Sequence, residues 1–195
     1  MALYHFSVRN VSRGKGQMVV ASAAYISGQR IFDSYYNKIH DYTSKSGVVF
    51  TEILTPEYVP ERLTDRETLW NEVEHVERNN KAQLAYSFDI ALQNELTLEE
   101  NIRLAKEFCQ EQFVARGMIV DLAIHEGKSD NEEEPDNPHF HVLVPIRPFT
   151  EEGIWGNKQR REYILDEDGN RVKDAKGKDM FNAVSTCLLY TSDAA

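Results

Sequence analysis

Two runs of strict alternation constrain this chain more than any other feature. In 118–125, Val120, Leu122 and Ile124 fall on one side, while Ile119, Asp121, Ala123 and His125 fall on the other. In 138–147, His139, His141 and Leu143 share a side, with Phe140, Val142 and Val144 opposite. A period of two is the signature of a β-strand, because successive side chains point to opposite faces. The linker of about a dozen residues between the runs predicts an antiparallel pair. Paired in that way, the strands bring His125 to the same side as His139 and His141.

That placement carries chemistry. Residues at i and i+2 of a strand lie about 7 Å apart along the backbone, so both imidazoles of His139-Phe140-His141 reach one ion. Three imidazoles with positions left open suit a catalytic divalent cation better than a closed structural site. The alternative is three surface histidines on a sheet edge. Asp121, on the face of His125, is either an outer-sphere partner that orients a ligand histidine or a solvated strand residue.

The rest of the chain supplies the other layers. Residues 3–10, 48–54 and 83–92 read as strands. Residues 17–30 read as a helix on which Ala21, Ala24, Tyr25 and Gly28 form a small-residue face able to approach a sheet closely. Thr64-Asp-Arg-Glu and Thr97-Leu-Glu-Glu are capping-box patterns that open helices running to about Asn80 and Arg116, and Gly117 is a fitting stop. Residues 31–46 read as a polar, aromatic loop, and the chain turns polar again after Pro148. A tyrosine on a small-residue helix face is more often core than catalyst. As a phenolic nucleophile, Tyr25 would need a metal or a base at neutral pH. His5, His40 and His75 have no such company and read as structural or exposed.

The formal net charge of −10 argues against a nonspecific polyanion binder. The charge is uneven, however. Residues 1–50 hold six cations (Arg9, Arg13, Lys15, Arg30, Lys38, Lys45) against two anions, and residues 126–136 hold six anions against Lys128. The acidic stretch is expected to be a solvent-exposed loop that keeps away from a polyanion. The sequence contains no apolar run long enough for a transmembrane helix, and its N-terminus lacks the features of a signal peptide, which predicts a cytoplasmic protein. Two cysteines make no disulfide framework and no metal knuckle. The final residues, 187–195, resemble the translation of a sequencing adapter. On that reading the natural domain occupies 1–186 and continues differently beyond it.

His139-Phe140-His141 resembles the His-hydrophobe-His motif of rolling-circle and conjugative endonucleases. Ala21-Ser-Ala-Ala-Tyr-Ile-Ser-Gly28, Leu69-Trp-Asn-Glu-Val-Glu74, Asp121-Leu-Ala-Ile-His125, Asn137-Pro-His-Phe-His141 and Trp155-Gly-Asn-Lys-Gln159 together resemble, in order and spacing, the MobA/MobL-type relaxases (MobQ class) of mobilisable plasmids. The resemblance spans about residues 1–186. It implies Tyr25 as the nucleophile and His125, His139 and His141 as metal ligands, with a divalent cation, Mg²⁺ or Mn²⁺, as cofactor. It implies single-stranded DNA at a plasmid transfer origin as substrate. Accessory mobilisation proteins and a secretion-coupling protein are the further implied partners. The chain departs from the family at Ile26, where an arginine is usual, and at Tyr86-Ser87 and Leu92-Gln93.

The expected fold is α+β: an antiparallel sheet of about five strands, helices mainly on one face and the metal site on the other, with the Tyr25 helix near the metal. Arg9, Arg13, Lys15 and Arg30 are candidate phosphate contacts, and Tyr35 and Tyr36 candidate stacking residues; surface charges and loop aromatics are the alternative. Three functions compete: a relaxase, a replication initiator that nicks by the same chemistry, and a transfer-origin binding module that does not nick. The Trp155-Gly-Asn-Lys block favours the first.

Overall fold

The computed structural model describes residues 5–127 and 136–186. Most of the acidic stretch and all of 187–195 lie outside the described residues, and so do the expectations placed on them. In chain order the elements are β1 (Phe6–Ser12), α1 (Val19–Ser27), β2 (Arg30–Asp33), β3 (Lys38–Asp41), β4 (Val48–Leu54), α2 (Arg66–Val76), β5 (Gln83–Ala91), α3 (Leu98–Gln112), β6 (Val120–His125), β7 (His139–Pro145), β8 (Gln159–Tyr163) and β9 (Phe181–Ser185). Five of the strands form one antiparallel sheet in the order β1-β5-β7-β6-β4. The fold is α+β.

β6 and β7 pair as the alternation predicts, with His125 opposite His139 and Ala123 opposite His141. One face of the sheet presents Phe88, Leu122, Ile124, Phe140, Val142 and Val144 to Ala105, Cys109 and Phe113 on and just beyond α3. The other presents Val11, Ala85, Ile119, Ala123 and Leu143 to α1 and α2, which contribute Val20, Ala23, Leu69, Trp70 and Val73. Each fully buried aliphatic or aromatic side chain contributes roughly 1.5–3 kcal/mol.

Helices therefore cover both faces. α3 packs opposite the histidines, while α1, the Tyr25 helix expected near the metal, and α2 pack on the histidine face. The reason is that the histidine side of β6 and β7 also carries Ala123 and Leu143, which need apolar cover, and Asp121, which needs the Arg66 and Trp70 of α2.

Local signals explain most boundaries. Thr97 forms the full capping box with Glu100. The second expected box shifts by one residue: Asp65, not Thr64, caps α2 by accepting from the Thr68 N–H. α1 stops at Gly28, whose φ of 64° places it in the left-handed region and whose N–H returns to the Ala24 carbonyl. The buried face of α1 is Val19, Val20, Ala23, Ala24 and Ser27, so the 21/24/25/28 stripe straddles its edge and leaves Tyr25 50% exposed.

Residues 31–46 are not a featureless loop. β2 and β3 form a hairpin whose turn is held by the buried Asp33 carboxylate, which accepts from the Tyr35 and Tyr36 N–H groups, with Asn37 at φ 51°. The polar segment after Pro148 likewise contains the β8–β9 pair.

Candidate active site

The end of β6 and the start of β7 bring three imidazoles together. Ring centroids lie 5.2 Å apart for His125–His139, 4.5 Å for His125–His141 and 4.9 Å for His139–His141. One nitrogen from each ring lies within 4.8 Å of the others. His125 is buried, and His139 and His141 are half-buried. Burial lowers the pKa of both His125 and His141, the latter to about 4, so both are neutral at pH 7.

Two of the rings are fixed through their second nitrogen. His125 Nε2 lies 2.7 Å from the carbonyl of Ile26, and His139 Nδ1 lies 2.7 Å from that of Asn137. A carbonyl only accepts, so each of these nitrogens carries the hydrogen and leaves its partner nitrogen with a free lone pair. Asn137 is held in turn: its N–H donates to the carbonyl of Gly127, at φ 56°, where an added Cβ would stand 1.9 Å from the Asn137 oxygen. Three imidazoles, each offering one nitrogen to a common point, fit a divalent cation.

Tyr25 lies in the last turn of α1, next to Ile26. Its ring meets that of Tyr42 edge-on at 5.3 Å and 87°, and the Lys45 ammonium stands 3.7 Å from its centroid. Ile26 departs from the usual arginine, yet it bonds His125 through its backbone, which any residue can supply.

Two expected site residues lie elsewhere. Asp121 does not touch a histidine. It is fully buried and holds Arg66 at 2.8–3.0 Å and Trp70 Nε1 at 2.8 Å. It stands four positions along β6 from His125, about 13 Å, and its work is to fasten α2 to β6. Arg13 is not free for phosphate. It is buried, paired with Glu74 at 2.6 Å and bonded to the carbonyls of Glu74, Glu77 and Asn79. Glu74 also accepts from the Val19 N–H, so this pair anchors the start of α1.

The other cations are exposed. Arg30 lies 3.5 Å from Asp41, and Lys15 sits in the turn after β1. Arg9 lies 3.5 Å from Asp89, whose carboxylate is 3.8 Å from His141 Nδ1. Tyr35 and Tyr36 are exposed as expected, with the Arg13 guanidinium behind Tyr35 at 4.2 Å. His40 pairs with the buried Asp33, and His75 bonds Ser34.

The profile of the MobA/MobL family matches residues 17–189. This chain belongs to the MobA/MobL family. A conjugal transfer protein TraA from Agrobacterium fabrum is 36% identical over 191 residues, covering 93% of this chain and 16% of that protein. A probable mobilization protein MobA from Bifidobacterium longum is 37% identical over 174 residues, covering 88% and 30%. A solved structure described as "Molecular Basis of Vancomycin Resistance Transfer in Staphylococcus aureus" superposes with a TM-score of 0.73 at 38% identity, covering 82% of this chain and 78% of that one. This MobA/MobL chain thus spans well under half the length of these curated relatives.

Sequence reasoning missed two residues that neighbour the candidate site of this MobA/MobL chain. Asp89 is opposite His141 in the β5–β7 register, and its signal was a lone acid in the otherwise apolar and hydroxylic strand Tyr86-Ser-Phe-Asp-Ile90. Lys45 had no local signal, because only the fold brings it to Tyr25. No helix among the described residues is long and apolar enough to cross a membrane.

Proposed function

We propose that residues 1–186 form the nicking domain of a DNA relaxase that cuts and rejoins one strand at a plasmid transfer origin. The observation that carries this reading is the bond between His125 and the Ile26 carbonyl, which ties the three-imidazole cluster to the helix bearing Tyr25. His125, His139 and His141 would hold a divalent cation. When bound, it would offset phosphate charge and make the scissile phosphorus more electrophilic. An all-imidazole donor set favours Mn²⁺ over Mg²⁺, which prefers carboxylate and water oxygens.

Tyr25 is the nucleophile of this reading. Its Oη forms a bond to phosphorus as the P–O3′ bond breaks; the phenol gives up its proton and the departing 3′-oxygen takes one up. The products are a 5′-phosphotyrosyl link and a free 3′-hydroxyl. The reverse attack restores the strand without ATP, because the phosphodiester energy is kept in the link. Arg9, which reaches the site through Asp89, and the exposed Lys15 and Arg30 contact phosphates, while Tyr35 and Tyr36 stack on bases. Accessory mobilisation proteins and a secretion-coupling protein are the further partners this reading assigns.

The test is incubation with a labelled single-stranded transfer-origin oligonucleotide and Mn²⁺, then denaturing electrophoresis. A protein-linked product in the wild type that is absent from Tyr25→Phe and His141→Ala supports the reading. Binding without cleavage in the wild type would point to a non-nicking DNA-binding module.

A further inference from the structure

We infer that Lys45 is the positioning residue of Tyr25, fixing its ring and keeping a positive charge at its face; this inference rests on the nucleophile reading above. Lys45 lies outside α1, in the turn after β3, and reaches back to it. Its Nζ stands 3.7 Å from the Tyr25 ring centroid and donates to the Tyr25 carbonyl at 3.0 Å. The segment carrying it is docked on the same helix end. The Lys45 N–H donates to the Tyr42 carbonyl, the Tyr42 N–H donates to the Gln29 carbonyl, and the Tyr42 ring meets that of Tyr25 edge-on.

Two further observations separate this contact from an ordinary surface lysine. α1 has no basic residue in its own last turn, so Lys45 supplies from elsewhere the cation that a helix C-terminus favours. Lys45 is also half-buried, and no carboxylate among the described residues lies within ion-pair distance of it. Withdrawing an ammonium from water without a carboxylate partner costs free energy, and the Tyr25 carbonyl and ring are the contacts that offset it. The residue next to Tyr25 on the same helix end, Ile26, accepts from His125 Nε2 at 2.7 Å, so Tyr25 and the Lys45 bound to its carbonyl adjoin the histidine cluster. A phosphate seated between that cluster and Tyr25 would meet Lys45 as its counter-charge, while the ring is held by cation–π contact and the Tyr42 edge.

Lys45→Gln keeps a donor for the Tyr25 carbonyl and removes the charge; Lys45→Arg keeps the charge. The expected result is single-turnover adduct formation at saturating oligonucleotide slowed tenfold or more in Lys45→Gln and restored to within about threefold in Lys45→Arg, with unchanged melting temperature in both. A second readout needs no nicking. With 3-fluorotyrosine at position 25, the metal-free protein's ¹⁹F resonance should shift and narrow in Lys45→Gln as the ring is released, and return towards wild type in Lys45→Arg.

Lys45→Gln reacting at the wild-type rate, or Lys45→Arg as slow as Lys45→Gln, would overturn the inference and leave the nicking reading intact. A wild type that makes no adduct while the resonance responds as expected would refute the nicking reading and uphold the positioning contact. An unmoved resonance would refute the contact itself.

Discussion

The buried Nε2 of His125 on β6 lies 2.7 Å from the carbonyl oxygen of Ile26 on α1. One bond thus joins the strand pair that carries the histidines to the helix that carries Tyr25. It also sets the His125 tautomer and with it the nitrogen left for a metal. The same ring belongs to the cluster and to the fold.

His125 should therefore matter to the metal-free protein in a way that His139 does not. His125→Ala leaves the Ile26 carbonyl without its partner in the interior, which costs about 1–3 kcal/mol. His139 is half-buried, and its partner Asn137 lies near the surface, so His139→Ala should cost under about 1 kcal/mol. Urea denaturation in the presence of a chelator measures both. Equal losses would mean that the Ile26 bond contributes no stability.

Metal preference follows from the donors. Thermal stabilisation at equal cation concentration should rise from Mg²⁺ through Mn²⁺ to Co²⁺ and Ni²⁺. A cation present at one hundred times its Kd adds about 2.7 kcal/mol. Differential scanning fluorimetry reads the order, and His141→Ala should flatten it. Stabilisation by Mg²⁺ equal to that by Mn²⁺ would mean that oxygen ligands dominate.

The pH dependence of the metal-free protein follows from His141. Burial holds its folded-state pKa at about 4, below the ordinary value near 6.5. Below pH 6.5 the unfolded chain takes up a proton that the folded chain refuses, so unfolding is favoured as the pH falls. Stability should decline from about pH 6.5 towards pH 4 and show no further loss from this group below that. Replacing His141 with Gln should make that decline shallower in a urea-midpoint profile, leaving the part due to His125, whose pKa burial also lowers.

The legibility of the chain varied with how local each signal was. β6 and β7 were readable because their alternation is unbroken, and α3 because Thr97 and Glu100 cap it within four residues. The β2–β3 hairpin was hidden, since its turn rests on a side chain, Asp33, bonding its own neighbours and not on a glycine-rich turn. Arg13 read as a phosphate contact or surface charge, and Asp121 as a histidine-orienting or solvated residue, because their partners, Glu74 and Arg66, stand 61 and 55 positions away. Lys45 and Asp89 were hidden for the same reason: only tertiary packing makes them neighbours of Tyr25 and His141.

The Arg66–Asp121 pair gives a test of that correction. Arg66→Ala leaves a fully buried carboxylate without its counter-charge and should destabilise the protein by about 3–5 kcal/mol. Metal affinity measured on the folded fraction should be unchanged, because Asp121 does not reach the histidines. A tenfold loss of affinity without a loss of stability would restore Asp121 as an orienting partner of the site.

The most direct measurement is the site of the covalent link. After reaction with a transfer-origin oligonucleotide and Mn²⁺, the protein is digested with trypsin and nuclease, and the modified peptide is sequenced by mass spectrometry. The account predicts one nucleotide-bearing residue, Tyr25, and no modified peptide from Tyr25→Phe. A nucleotide on Tyr35, Tyr36, Tyr42 or any other tyrosine, or an adduct that survives Tyr25→Phe, would contradict it.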